Sequence, residues 1–175
     1  MKTNQSNAVV TLPYLLGLLE SDGSFHILFK ADPRMPLNYR IQPEIQWSQK
    51  NVQLLHGAQE CLHSLGIHSK YKNLPSNQRS GRAPVLKVEG ISNCMQFVQL
   101  VDIWSEKHVL YPLYGIKALD FMLMKEIFSI VQRGLHNKPE GRCKIIDIEY
   151  ALHTPPAGLR ECTHPFFQKP TPTLR

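Results

Sequence analysis

The sequence predicts an α+β fold, αββαββα with additional C-terminal helices, in which a four-stranded antiparallel, saddle-shaped sheet packs one face on helices and leaves the other open. Three observations carry this expectation. Residues 24–30 and 39–49 alternate apolar and polar side chains, the pattern of a half-buried strand, and shorter alternating segments follow at 69–73 and 85–89. Segments with apolar positions at helical spacing flank each strand pair. The polar strand positions are rich in Lys, Arg and Gln, and an antiparallel sheet tolerates such a solvated face where a parallel one does not.

Taken in order, Thr11-Leu12-Pro13 has a hydroxyl for a cap and a proline for the first turn, so a helix is expected over 12–20, stopped by Asp22-Gly23. The first strand puts Phe25, Ile27 and Phe29 on one face. After a turn at 33–38, the second puts Ile41, Ile45 and Trp47 on one face and Arg40, Gln42, Glu44, Gln46 and Ser48 on the other. Pro43 argues for an edge position, because proline cannot donate to a ladder. A helix over 52–65 buries Leu54, Leu55, Ala58, Cys61, Leu62 and Leu65, with Gly66 as a left-handed cap. The strands at 69–73 and 85–89 are joined by a loop holding Pro75, Gly81 and Pro84, and Leu86 and Val88 point inward. Further helices are expected from Ser92 to about residue 104, over 113–133 up to Gly134, and over 143–153. Residues 1–153 thus read as one domain. Residues 154–175 hold five prolines and read as an extended tail.

Composition narrows the function classes. A hydrophobic fraction of 42% with 19% charged residues describes a globular chain. No apolar run approaches the ~18 residues of a membrane span, and the polar start of the chain lacks the layout of a secretory or transit signal. The four cysteines, Cys61, Cys94, Cys143 and Cys162, are too scattered for a zinc site or a disulfide scaffold, and the eight histidines show no ligand spacing. Charge is localised. Residues 30–87 carry nine Lys/Arg (Lys30, Arg34, Arg40, Lys50, Lys70, Lys72, Arg79, Arg82, Lys87) against Asp32, Glu44 and Glu60, while the rest of the chain holds eleven of each sign, so this segment supplies the whole net charge of +6. A localised excess of this kind suits a polyanion, whose condensed counterions are released when phosphates are neutralised.

The segment Leu15-Leu16-Gly17-Leu18-Leu19-Glu20-Ser21-Asp22-Gly23 is physically odd in three ways. Gly17 sits inside a helix at a cost of roughly 0.5–1 kcal/mol relative to Ala. Ser21, four residues on, gives one helix face two small residues and room for a second backbone. Asp22 lies at a helix C-terminus, where the dipole disfavours an anion by roughly 0.3–1 kcal/mol unless a cation sits there. Carboxylate and backbone carbonyl oxygens, such as that of Ser21, suit a hard ion like Mg2+ that keeps several waters.

This segment resembles the LAGLIDADG motif, and Ser24-Phe25 is similar to the family's run into its first strand. Gly17, Leu18, Asp22 and Gly23 match, Glu20 keeps an acid, and Leu16 stands where alanine is usual. Ser48-Gln49-Lys50 is similar to the family's active-site glutamine segment. Tyr111-Pro112-Leu113 through Lys117 and Asp120-Phe121 is similar to the segment that supplies an active-site lysine. The likeness runs over about residues 11–133. It implies a homing endonuclease that makes a staggered double-strand cut with 3′ overhangs in a long pseudo-palindromic DNA target, as a homodimer, and promotes mobility of its host intron. Asp22 and the Ser21 carbonyl would hold Mg2+, with Mn2+ able to substitute and Ca2+ expected to bind without cleavage. Gln49 and Lys117 would organise water around the scissile phosphate. Lys50, or Gln53 a helical turn on, is a candidate for the basic residue that the family often places after the glutamine.

His26, Leu28, Lys30, Arg40, Gln42, Glu44, Gln46, Lys70, Lys72 and Lys87 would face double-stranded DNA, and Tyr14, Gly17, Leu18 and Ser21 would form the dimer interface. One copy of the motif in the chain makes one subunit half of a pair. The resemblance further implies an organelle-encoded protein, mitochondrial or chloroplast, or an archaeal cytoplasmic one, with no membrane partner. The alternatives are a maturase of the same fold that binds its intron RNA, a DNA-binding protein of that fold without catalysis, and a basic RNA-binding sheet. The last would stack bases on exposed aromatics, whereas Phe25, Phe29 and Trp47 are expected to face inward.

Overall fold

Residues 10–72, 83–108 and 113–152 are described in a computed structural model of the chain. The expected loop residues Pro75 and Gly81, the cations Arg79 and Arg82, the Tyr111-Pro112 pair, Cys162 and the proline-rich tail lie outside them. Helix α1 (Leu12–Asp22) leads directly into strand β1 (Gly23–Ala31), which turns into β2 (Tyr39–Ser48). Helix α2 (Val52–Ser64), strands β3 (Ser69–Lys72) and β4 (Val85–Glu89), and helices α3 (Ile91–His108), α4 (Gly115–Gln132) and α5 (Pro139–Leu152) follow, with a single 3-10 turn at Leu135–Asn137 between the last two. The four strands form one antiparallel sheet in the order β1-β2-β4-β3. The α+β architecture expected from the alternation is therefore the one observed.

The sheet's inner face, with Phe25, Ile27, Ile41, Ile45, Trp47, Leu86 and Val88, is buried against the helices. Trp47 is the pivot. Its ring meets Phe97 of α3 edge-on at 5.5 Å, and its indole N–H donates to the Leu15 carbonyl of α1 at 3.2 Å. That bond satisfies a polar atom that burial would otherwise leave unpaired. Phe25 meets Phe121 of α4 edge-on at 6.3 Å, so α1, α3 and α4 all close on the first two strands.

Pro43 lies in a central strand, not an edge. The β2–β4 ladder covers only Glu44 to Ser48, and the Pro43 carbonyl accepts from Gly90 N, just past the end of β4. In an antiparallel strand a residue's carbonyl and N–H face the same neighbour. The donor that proline lacks therefore belongs to the side where β4 has already stopped, and no ladder bond is lost.

Helix α1 starts where expected but differs in its capping, and α3 and α5 differ from expectation in their first residue. Thr11 occupies the N-cap of α1, but its hydroxyl makes no cap hydrogen bond. Helix α3 begins at Ile91, because Gly90, at φ +89°, turns the chain out of β4 and its carbonyl accepts from Cys94 N. Helix α5 starts at Pro139, four residues ahead of the expected position, since a proline fits the first helical turn. The β1–β2 turn is tied by Asp32, whose carboxylate accepts from Arg34 Nε and Nη2, each at 2.9 Å. That guanidinium holds the Asp32 pKa down to about 2.

Candidate active site and nucleic-acid face

The candidate site lies where α1 ends and β1 begins. Gly23 is the hinge. Its N–H donates to the Leu19 carbonyl to close the helix, and a Cβ there would lie 2.5 Å from that same oxygen. Only glycine lets the chain pass from helix to strand within one residue at this point, which leaves Asp22 exposed at the helix end. A helix's last carbonyls have no intrahelical donor, so the Ser21 carbonyl, in the final turn one residue before Asp22, has no helical partner.

Two residues from distant elements meet this end. Gln49, one residue past β2, donates from Nε2 to Asp22 Oδ2 at 2.5 Å. Its own N–H is anchored to the Pro84 carbonyl at 3.2 Å, just before β4, so both central strands support the glutamine. Lys117, in the first turn of α4, donates from Nζ to the Gly23 carbonyl at 2.6 Å. Asp22, Gln49 and Lys117 are 27 and 68 residues apart in sequence and converge on one helix end.

Glu20 ties the end of α1 to the start of α4. Its Oε2 accepts from the backbone N–H of Tyr114 at 3.0 Å, capping the start of α4 and seating Lys117 on the motif. The Ser21 hydroxyl lies 3.3 Å from both the Leu18 carbonyl and Asp22 Oδ2, and its one proton can serve either acceptor. Lys50 is exposed next to Gln49, and Gln53 is exposed in the first turn of α2.

Among the described residues no group of three or more His, Cys, Asp or Glu side chains forms a metal cage. The donor set here is smaller: one carboxylate and one backbone carbonyl, both oxygen. That set fits Mg2+, which is bound through one or two carboxylates and completes its shell with water and phosphate oxygens.

The open face of the sheet follows the alternation closely. His26, Lys30, Gln42, Gln46 and Lys87 are half-buried, and Leu28, Arg40, Lys70 and Lys72 are exposed. Lys30 stands directly opposite Arg40 across the β1–β2 ladder, and like charges so placed destabilise a sheet. Neither makes an ion pair among the described residues, although Asp32 lies near enough to Arg40 to feel its charge, so an anion above this ladder would relieve the remaining repulsion. Lys70 and Lys87, opposite each other on β3 and β4, are paired with Glu89 at 3.1 Å and Glu44 at 2.7 Å. The Ser24 hydroxyl and His26 Nε2 are hydrogen-bonded at 2.8 Å.

Two expected contact residues lie elsewhere. Glu44 does not present itself to a ligand. It is 2% exposed because its same-face neighbours Gln42 and Gln46, and Lys87 from β4, close over it. Leu18 is 8% exposed and belongs to the core, because three residues on from Leu15 it shares that buried face. Tyr14, Gly17 and Ser21 form a separate exposed stripe along α1. Phe25 and Trp47 are buried under the sheet and Phe29 packs partly against the same core, so the open face lacks a base-stacking platform built from these aromatics.

A motif helix closing on a four-stranded antiparallel sheet, with a single acid at the junction, is a defined class of protein. Residues 15–128 match the LAGLIDADG endonuclease family, and the chain belongs to that family. It is 27% identical over 162 residues to "Probable intron-encoded endonuclease 3" of Neurospora crassa, an alignment that takes in 91% of this chain and 27% of that protein. The chain thus spans about a quarter of that relative's length.

The fold is similar to the solved structure of the homing endonuclease I-TnaI, with TM-score 0.66, 23% identity, and 83% of this chain and 90% of that one covered. It is also similar to the archaeal intron-encoded homing endonuclease I-Vdi141I complexed with DNA, with TM-score 0.61, 20% identity, and 83% and 84% covered. The LAGLIDADG meganuclease I-CpaMI bound to uncleaved DNA aligns at TM-score 0.62 and 19% identity, with 82% of this chain and 44% of that one covered. Among the described residues no helix is long and apolar enough to cross a membrane.

Proposed function

We propose that this chain is a site-specific, metal-dependent DNA endonuclease that cuts both strands of a long pseudo-palindromic target as a homodimer, leaves 3′ overhangs, and acts in the mobility of a host intron. The observation that carries the reading is the convergence of Asp22, Gln49 and Lys117 on the end of α1, beside a basic sheet face. The name of the Neurospora crassa relative supports endonuclease activity, and the DNA bound in the I-Vdi141I and I-CpaMI structures supports DNA as the substrate.

In this reading Asp22 and the Ser21 carbonyl hold Mg2+, or Mn2+ in its place, while Ca2+ binds without supporting the cut. When bound, the cation supplies Lewis-acid charge for the phosphate and lowers the pKa of a coordinated water. Gln49 fixes one carboxylate oxygen of Asp22 and keeps its own carbonyl to orient a water molecule. Lys117 brings positive charge to the point where negative charge develops on the phosphate oxygens. Lys30 and Arg40 hold the backbone or base edges of the DNA over β1 and β2. No covalent enzyme intermediate is required.

Assembly follows from α1. A Cβ built on Gly17 would meet nothing within 4 Å, so this chain's own packing does not call for a glycine there. A second copy's helix against the stripe of Tyr14, Gly17 and Ser21 supplies the reason. It also brings two Asp22 side chains near a two-fold axis and joins two sheets into one surface. I-CpaMI, of which this chain covers 44%, has room for two such units in one polypeptide.

The test is cleavage of a randomised duplex library by the intact protein in Mg2+, with parallel reactions in Mn2+ and Ca2+. The expected product is one family of cut sequences with two-fold related half-sites and 3′ overhangs, in Mg2+ and Mn2+ only. Absence of any cut, or cutting without sequence preference, contradicts the reading.

A further inference from the structure

The floor of the open sheet face is an acid. The Glu44 side chain is 2% exposed. Its Oε1 accepts from Gln42 Nε2 at 3.1 Å, and its Oε2 from Gln46 Nε2 at 2.9 Å and Lys87 Nζ at 2.7 Å. A carboxylate paired with a lysine only accepts hydrogen bonds, so an amide that touches it has to turn its NH2 toward it. Both glutamines are therefore locked in one of their two amide orientations. Each keeps its carbonyl oxygen and one N–H for a ligand. Lys87, counted by sequence among the cations of this face, has its charge matched from below.

We propose that Glu44 is a positioning residue for base recognition. By holding Nε2 of Gln42 and Gln46 it fixes each carbonyl as an acceptor with one N–H beside it, and so favours bases that carry an amino donor at these positions. The inference rests on the proposal that this face docks in a DNA major groove. There adenine presents its 6-amino group beside N7, which suits a glutamine carbonyl and its remaining N–H, and cytosine presents its 4-amino group. Guanine and thymine present only acceptors there, so they can take the remaining N–H but leave the glutamine carbonyl without a donor. The acid acts through its neighbours and touches no base itself.

The experiment uses the intact protein and the duplex it selects. Gln42→Met and Gln46→Met, profiled against all single-base changes, locate the base pairs each glutamine reads. At those pairs the amino group of the preferred base is then deleted, with purine in place of adenine or 2-pyrimidinone in place of cytosine. Binding should weaken at least about fivefold, as expected for one lost base contact. Glu44→Gln, whose amide both donates and accepts, should level the base preference at those pairs and leave the profile elsewhere unchanged. It should also steepen the dependence of log affinity on log salt by about 0.9 per subunit, because Lys87 is released to a phosphate. A merely structural role for Glu44 would lower stability without steepening that slope.

Undiminished binding to the amino-deleted duplexes overturns the proposal, and that arm uses the wild-type protein, so it decides even where Glu44→Gln fails to fold. A base profile that Glu44→Gln, Gln42→Met and Gln46→Met all leave unchanged overturns it too. Protein that binds no DNA at all overturns the nuclease reading along with it, whereas protein that cuts normally and fails the amino-deletion arm overturns this inference alone.

Discussion

Gly23 shows how one residue sets the candidate chemistry. Its missing side chain lets the backbone leave α1 with the Leu19 carbonyl 2.5 Å from where a Cβ would stand, and the residue before it carries the acid. A methyl group cannot be accommodated by a rotamer change, because the obstacle is backbone. Gly23→Ala should therefore cost about 1–3 kcal/mol of stability, as overpacking does, and should lower cleavage well below the level that the loss of folded protein explains. Thermal melts and cleavage assays on the same preparation check this, and a variant with wild-type melting and cutting contradicts it.

At this scale legibility was uneven. Asp22 could be singled out from residues alone, because an acid at a helix C-terminus is electrostatically misplaced without a cation. Gln49 and Lys117 could not. They are 27 and 95 residues from Asp22, and nothing local marks either one, so only resemblance to the family's motifs picked them out. Glu44 was read as outward-facing, which its place in the alternation supports. Its burial depends on three long side chains closing over it, a property of the filled sheet surface and not of its own position.

At the scale of elements, β1 and β2 form the longest ladder, pairing from Gly23 with Trp47 to Ala31 with Tyr39. The ladder sets Lys30 against Arg40, like charges that form no ion pair among the described residues and that only the nearby Asp32 partly offsets. A sheet selected only for stability would place opposite charges there. Lys30→Ala and Arg40→Ala should leave melting unchanged or slightly raised. Each should weaken DNA binding by about 1–3 kcal/mol, with relaxed specificity at one position per half-site if the contact is to a base. Binding unchanged in both variants means that DNA does not dock on this face.

The strand pairs, the inner faces of β1, β2 and β4, and the ends of α2 and α4 were legible from periodicity and the glycines that follow the helices. Pro43 was misleading, because a proline's cost depends on which side of the strand lacks a partner, and that is decided by where β4 ends. The start of α5 at Pro139 was hidden by weak periodicity in Pro-Glu-Gly-Arg, where the missing N–H of proline is harmless.

At the scale of the whole molecule, α1 faces two ways. Leu15, Leu16, Leu18 and Leu19 are in the core, while Tyr14, Gly17 and Ser21 are exposed. A glycine that no neighbour in its own chain requires, in a helix it destabilises, fits the proposed close approach of a second backbone. Gly17→Leu should fold, since its Cβ meets open space, yet sediment as a monomer and lose double-strand cutting. A dimer that persists in that variant contradicts the placement of the interface on α1.

The central claim is that Asp22 holds the metal on which the cut depends, while the sheet holds the DNA. It is tested most directly by measuring cleavage in Mg2+ and DNA affinity for Asp22→Asn beside the wild-type protein. Loss of a single metal-binding oxygen charge should abolish cutting and leave affinity within about tenfold, because none of the sheet contacts is altered. A variant that still cuts at the wild-type rate in Mg2+ contradicts the assignment of Asp22.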